Sequence, residues 1–186
     1  MPYLDKKKIL NFGFKYIGED VKISSLAQIY NPENISIGNN SRIDDFAVLS
    51  GKINIGNYVH IAPFNLIAGG NKGIVFKDFS AIAYYGCVFT RSDDYSGPYL
   101  TNPTVKQSFT NVSEEKVIIE KHVLIGTRVT VFPGVLIGIG ATVGASSLVI
   151  NNLEPWYVYS GIPATKLKSR SKKVLEVEKR FLNSKN

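Results

Sequence analysis

The chain has 186 residues, the span of a single domain, and its 44% hydrophobic and 20% charged content excludes wholesale disorder. Its 22 basic and 15 acidic groups give a formal charge of +7, which at face value points to nucleic acid or an anionic membrane surface. One cysteine excludes an internal disulfide and a cysteine zinc cluster, and two histidines, His60 and His122, exclude a single-chain three-histidine metal site.

Residues 1–16 hold no unbroken apolar stretch of the ~7–15 residues that a signal peptide needs. No run approaches the ~18 apolar residues of a membrane span. The expectation is a cytoplasmic protein in a reducing setting, without stable membrane insertion. Leu4, Ile9, Leu10 and Phe12 predict a short helix that caps one end of the domain.

From residue 17 to 164, aliphatic residues recur every six positions. Ile17, Ile23 and Ile29 begin the series, and Ile37, Ile43, Leu49, Ile55, Ile61 and Ile67 continue it. Val75, Ala81 and Cys87 come next, then Ile119, Ile125, Val131, Ile137, Val143 and Val149. Two steps are eight residues long, Ile29 to Ile37 and Ile67 to Val75. A period of six suits neither an amphipathic helix nor a plain strand. It suits a short strand and a tight corner, repeated, with three sides closing one coil. The prediction is an all-β solenoid of about six coils, with these aliphatics pointing inward and Cys87 among them as a small core residue. Glycine and asparagine near the corners, as in Ile37-Gly38-Asn39-Asn40 and Ile55-Gly56-Asn57, are expected to take positive φ there.

The repeat stops after Thr90 and resumes near Val117, so residues 91–116 are thrown out as a loop. Long loops on regular scaffolds usually carry function. This one holds the acidic pair Asp93 and Asp94 beside Arg91, Ser92 and Tyr95. Residues 165–186 read as a helix, with Val174, Val177 and Phe181 on one face. The charge is uneven: residues 166–186 carry net +6, residues 1–22 net +2, and the solenoid between them net −1. The surplus marks a tail, and no nucleic-acid motif accompanies it. His122 falls where a side chain faces solvent.

The hexad pattern, the ejected loop and the closing segment Glu154-Pro155-Trp156-Tyr157-Val158-Tyr159-Ser160-Gly161-Ile162-Pro163-Ala164 together resemble the hexapeptide-repeat acyltransferases. The likeness is to the galactoside-type sugar acetyltransferases, and especially to the viosamine-type (4-amino-4,6-dideoxyglucose) N-acetyltransferases. It implies a left-handed parallel β-helix and a homotrimer. It also implies acetyl-CoA as donor, with no metal, and a nucleotide-linked sugar as acceptor, for O-antigen or other surface polysaccharide. Active sites are implied between subunits. For the donor, the resemblance points to Gly126, Gly144, Ala145, Ser147, Pro163, Lys166 and Arg170. For the sugar it points to Asn65, Asp44, Asp45, Tyr84 and Tyr95.

The resemblance departs at the catalytic base. Galactoside-type members place a histidine in the ejected loop, and here Asp94 stands near that place. His60, in Val59-His60-Ile61-Ala62-Pro63, is the one family histidine that carries over. Asp94, His60 and Asp93 are therefore the candidate catalytic residues. An amine nucleophile sheds its proton only after attack, so a carboxylate can accept it. That favours N-acylation of an amino sugar. O-acetylation of a sugar hydroxyl and a non-catalytic scaffold stay open on sequence alone. A carbonic anhydrase on the same fold lacks its zinc ligands.

Overall fold

The structure, a computed structural model, describes residues 2–184. Three parallel sheets form the sides of a prism, and successive strands of each sheet come from successive coils. The first sheet runs from Tyr16–Ile17 through Ile35–Ile37, Ile53–Ile55, Ile74–Phe76 and Val117–Ile119 to Leu136–Ile137. The second begins at Lys22–Ile23, includes Arg42–Ile43, His60–Ile61 and Ala81–Ile82, and ends at Tyr157–Ser160 and Thr165–Ser169. The third runs from Gln28–Ile29 to Leu148–Val149. Six coils are complete. A partial seventh, with a bridge from Ile137 to Leu153 and the strand Tyr157–Ser160, extends the expected count.

The core is a stack of aliphatics at matching register. Ile37, Ile55, Phe76, Ile119 and Ile137 lie in line, each at most 2% exposed. The series differs from expectation in its third segment. The inward residues there are Phe76, Ile82 and Val88, paired with Ile55, Ile61 and Ile67. Val75, Ala81 and Cys87 point outward. A one-residue slip turns every side chain to the other face, and the flanking residues of Ile74-Val75-Phe76 and Cys87-Val88-Phe89 are apolar at both parities. Cys87 is thus half-buried on the outer face, where desolvation pushes its thiol pKa up.

The corners also differ from expectation. The glycines at 38, 56, 126 and 144 do not take positive φ. They stand where coils touch: a Cβ on Gly38 would lie 2.6 Å from the backbone of Gly56. The left-handed corner positions belong instead to Asn40, Phe46, Tyr58, Phe64, Phe79, Tyr85, His122, Arg128 and Trp156 among others. Most of these side chains stack along the corner edges. Phe46 lies on Phe64 at 4.9 Å, Phe64 on Tyr85 at 4.8 Å, and the Arg128 guanidinium lies 5.8 Å from the Tyr85 ring. A second edge stacks Tyr58, Phe79 and His122 at 4.8 and 5.5 Å.

Helix α1 (Lys6–Asn11) caps the first coil through Ile9, with Asp5 accepting from the backbone N–H of Lys8. The C-terminal helix starts later than expected. Residues Thr165–Ser169 form a strand antiparallel to Tyr157–Ser160, and helix α2 spans Val174–Asn183. Phe181 of α2 sets its edge against Tyr58 and Phe79, while Glu178 pairs with Lys121 at 2.5 Å and His122 at 2.9 Å. His122 is only 4% exposed, so the solvent-facing expectation is corrected: α2 covers it. Among the described residues, no helix is long and apolar enough to cross a membrane.

Candidate active site

The ejected segment leaves the third sheet after Cys87–Phe89 as an arm. Arg91–Asp93 pairs antiparallel with Val112–Glu114, so the arm is a two-stranded hairpin with a long tip. Asp94 sits just past this ladder. Its Oδ1 accepts from the Ser96 hydroxyl at 2.5 Å and the Ser96 N–H at 2.7 Å, and its Oδ2 accepts from Asn111 Nδ2 at 2.9 Å. The Ser96 side chain and backbone, then Asn111, hold its carboxyl below the usual carboxylate range. It is not a buried carboxyl with a raised pKa. Asp93 accepts weakly from the Asn102 N–H at 3.3 Å. Asp93, Asp94, Tyr95, Asn111, Phe132 and Ile150 are among the residues lining an open groove of about 440 Å³. Tyr95 is 83% exposed at its rim. Another concavity, of about 760 Å³, lies against α1 and the first coil and holds none of the expected residues.

A second cluster is built on the second sheet. Arg42 and His60 stand directly opposite on adjacent coils. Asp44, 1% exposed, joins them: Arg42 Nε donates to Oδ1 at 2.6 Å, Arg42 Nη2 to Oδ2 at 2.8 Å, and His60 Nε2 meets Oδ2 at 2.8 Å. The Tyr3 hydroxyl donates to Oδ1 at 3.2 Å. Burial raises the Asp44 pKa, but the hydrogen bonds from Arg42 and His60 outweigh it and leave the carboxyl below its ordinary value. Asp45 accepts from the Ser24 hydroxyl, and the exposed Tyr84 lies close enough to Arg42 to raise its pKa further. His60 lies on the second sheet of the prism and Asp94 on the arm that leaves the third, and the groove beside Asp94 is not lined by His60.

Several expected ligand contacts are occupied by the fold itself. Asn65 is 1% exposed; its Nδ2 donates to the Ala62 carbonyl at 2.6 Å and its Oδ1 accepts from the Gly86 N–H at 2.8 Å. It braces the corner, with both of its side-chain polar groups engaged within the fold. Ser147 is 2% exposed, donates to the Gly144 carbonyl at 2.7 Å and accepts from the Gly161 N–H at 3.1 Å. Gly126 and Gly144 are explained by coil contact, since a Cβ on either would lie within 3 Å of the next coil. Arg170 Nη1 donates to the carbonyls of His122 at 2.8 Å and Gly140 at 3.0 Å, and desolvation lowers its pKa. It clamps the last coils and is not a free cation awaiting a phosphate. Lys166 is more open, although it pairs with Glu154 at 2.6 Å and lies 3.9 Å from the Tyr157 ring centroid. Ala145 and Pro163 are exposed beside this end. The Arg42 and Tyr3 parts of the second cluster were not singled out from sequence, and the shared register of Arg42 and His60 was the available signal.

No family model matches the chain. Among characterised relatives, it is 44% identical over 184 residues to an Escherichia coli dTDP-4-amino-4,6-dideoxy-D-glucose acyltransferase, covering 97% of this chain and 95% of that one. It is 29% identical over 140 residues to the putative lipopolysaccharide biosynthesis O-acetyl transferase WbbJ of Escherichia coli K12, covering 73% of this chain and 69% of the relative. Among solved structures, it superposes with TM-score 0.98 on AntD, an N-acyltransferase from Bacillus cereus in complex with dTDP and 3-hydroxybutyryl-CoA. The identity is 45% and the match covers 100% of both chains. The parallel β-helix, its ejected arm and a relative matched almost end to end make this chain a member of the hexapeptide-repeat acyltransferases, in the family of the dTDP-4-amino-4,6-dideoxy-D-glucose acyltransferase.

Proposed function

We propose that the chain transfers the acyl group of an acyl-CoA, acetyl-CoA or a short relative of it, to the amine of a dTDP-linked 4-amino-4,6-dideoxy sugar. The observation that carries this reading is Asp94: half-buried at the groove, held ionised, and rich in hydrogen-bond acceptance. The amine nitrogen attacks the thioester carbon, the new C–N bond forms and the C–S bond breaks. The nitrogen is strongly acidic once it has attacked, so even a weakly basic carboxylate takes its proton. The departing thiolate is protonated to the thiol. A sugar hydroxyl needs a base poised near neutrality, and Asp94 is the opposite of that. Asp93 assists by charge, and His60 and Tyr84 face the acceptor.

AntD structures support the choice of ligands: one variant was solved with dTDP-4-amino-4,6-dideoxyglucose and coenzyme A. The separation of Asp94, on the arm, from His60, on the second sheet, supports a homotrimer in which the arm of one copy completes the site of the next. Ala145, Pro163 and Lys166 are the accessible members of the acyl-CoA surface; Gly126, Gly144, Ser147 and Arg170 shape it from behind. The product is a building block for surface polysaccharide, made in the cytoplasm.

Mass spectrometry of reactions containing acetyl-CoA or 3-hydroxybutyryl-CoA and dTDP-4-amino-4,6-dideoxyglucose tests the reading. One acyl group per amino sugar is expected, with none on the 4-hydroxy analogue. No product from dTDP-, UDP- or GDP-linked amino sugars, together with no CoA binding, overturns it. Sedimentation at micromolar protein tests the trimer.

A further inference from the structure

The cluster around Asp44 is more ordered than a surface ion pair. Its carboxylate is almost fully buried and is enclosed by donors: Arg42 twice, Tyr3 and His60. An ionised carboxylate only accepts hydrogen bonds. In the neutral imidazole, the His60 proton therefore resides on Nε2, which faces Asp44. The other nitrogen, Nδ1, keeps its lone pair and has no partner among the described residues. The ring is 42% exposed on that face of the sheet. An acyl carbonyl is itself an acceptor, so this lone pair repels it. The lone pair fits an N–H or an O–H.

We infer that Asp44 is a positioning residue that locks His60 in its Nε2–H tautomer, so that Nδ1 accepts a hydrogen bond from the acceptor sugar nucleotide. The inference rests on the acyltransferase reading above. The Asp44→Asn variant is informative because Arg42 Nε and the Tyr3 hydroxyl continue to hold the side-chain oxygen at the place of Oδ1. The new amide nitrogen then takes the place of Oδ2, where it gives up the bond from Arg42 Nη2 and donates to His60 Nε2. The imidazole proton is driven to Nδ1, and the acceptor is lost without removing the ring. A carboxylate that orients a histidine through one nitrogen for work at the other is established chemistry.

The experiment combines ¹⁵N-histidine NMR with steady-state kinetics at alkaline pH. The chain has only two histidines, and His60→Gln assigns the His60 signals by their disappearance. Wild-type His60 should show a protonated Nε2 and a bare Nδ1, and Asp44→Asn should reverse them. Both variants should lose roughly 10- to 100-fold in kcat/KM for the amino sugar, with the KM for acyl-CoA unchanged. A wild-type Nδ1–H tautomer overturns the inference. So does a His60→Gln or Asp44→Asn enzyme as fast as wild type, or an Asp44→Asn loss that appears in the acyl-CoA KM. A wild-type enzyme with no turnover of any amino sugar sinks the functional reading and this inference together.

Discussion

Phe64 tests the physics of the corners. It occupies the left-handed region, with φ +62°, and stacks between Phe46 at 4.9 Å and Tyr85 at 4.8 Å. Each stacked pair contributes about 0.5–1.5 kcal/mol beyond burial, so losing both costs about 1–3 kcal/mol. The left-handed backbone costs a residue with a Cβ about 1–2 kcal/mol. Phe64→Ala keeps that strain and loses both stacks. Phe64→Gly loses the same stacks and releases the strain, so it should be more stable than Phe64→Ala by about 1 kcal/mol. This reverses the usual order of the two residues inside regular elements. Phe46→Ala, which loses only the Phe64 stack, should cost about half as much as Phe64→Ala. Denaturant unfolding at one matched protein concentration measures all three, because assembly shifts apparent stability. Equal stability of the alanine and glycine variants refutes the strain argument. A neutral Phe64→Ala refutes the stacking argument.

Asp94→Asn should leave the unfolding midpoint nearly unchanged, since the residue lies on the arm outside the core and the amide oxygen still accepts from Ser96. It should lower kcat about 100-fold, measured by CoA release, and a wild-type kcat refutes the role given to Asp94. Because Ser96 and Asn111 depress the Asp94 pKa, its ionised form persists below the ordinary carboxylate range. A fall in rate between neutrality and pH ~5 is therefore not Asp94 taking up a proton, and the residual rate of Asp94→Asn should fall over the same range. Glu178→Gln should loosen α2. Burial raises the Glu178 pKa, but hydrogen bonds from Lys121 and His122 outweigh it and depress the folded value. Its stabilisation is therefore present above the unfolded pKa of about 4.3 and vanishes as pH falls through the depressed folded one. Thermal unfolding should show a deficit of about 1–3 kcal/mol at neutrality and a smaller one in acid; a deficit independent of pH refutes the pairing.

The hexad rhythm made the solenoid and its core legible, because one inward aliphatic per side is a strong constraint. It failed between Val75 and Cys87, where Ile74-Val75-Phe76 offers an apolar residue at either parity and only the contact with Ile55 and Ile119 chooses. The corner chemistry was legible in place and misread in kind. Glycine was expected to supply positive φ, whereas it supplies thinness between coils. The strained positions are held by aromatic side chains whose stacking partners lie a full coil away, at a separation no local pattern exposes. His122 was misplaced for a related reason: its cover, Glu178, is 56 residues later. Asp44 and His60 both stand out in the sequence, but their hydrogen bond depends on side-chain reach between coils.

Asp44 and Asp94 are both depressed carboxylates, but for different reasons. Asp44 is low because hydrogen bonds from Arg42 and His60 outweigh its burial, and that burial leaves no room for a substrate atom at its oxygens. It acts only through the groups it holds. Asp94 is low because neutral donors solvate it in place of water, and it remains open to the groove. In the proposed reaction it offers the ligand strong hydrogen-bond acceptance and weak basicity. Neither carboxylate has the raised pKa that would let it remove a proton from a hydroxyl before attack. A nucleophile that attacks with its own lone pair and becomes acidic afterwards needs no such base. The arrangement therefore selects an amine over an alcohol by proton affinity alone, before any contact with the sugar ring adds its own discrimination.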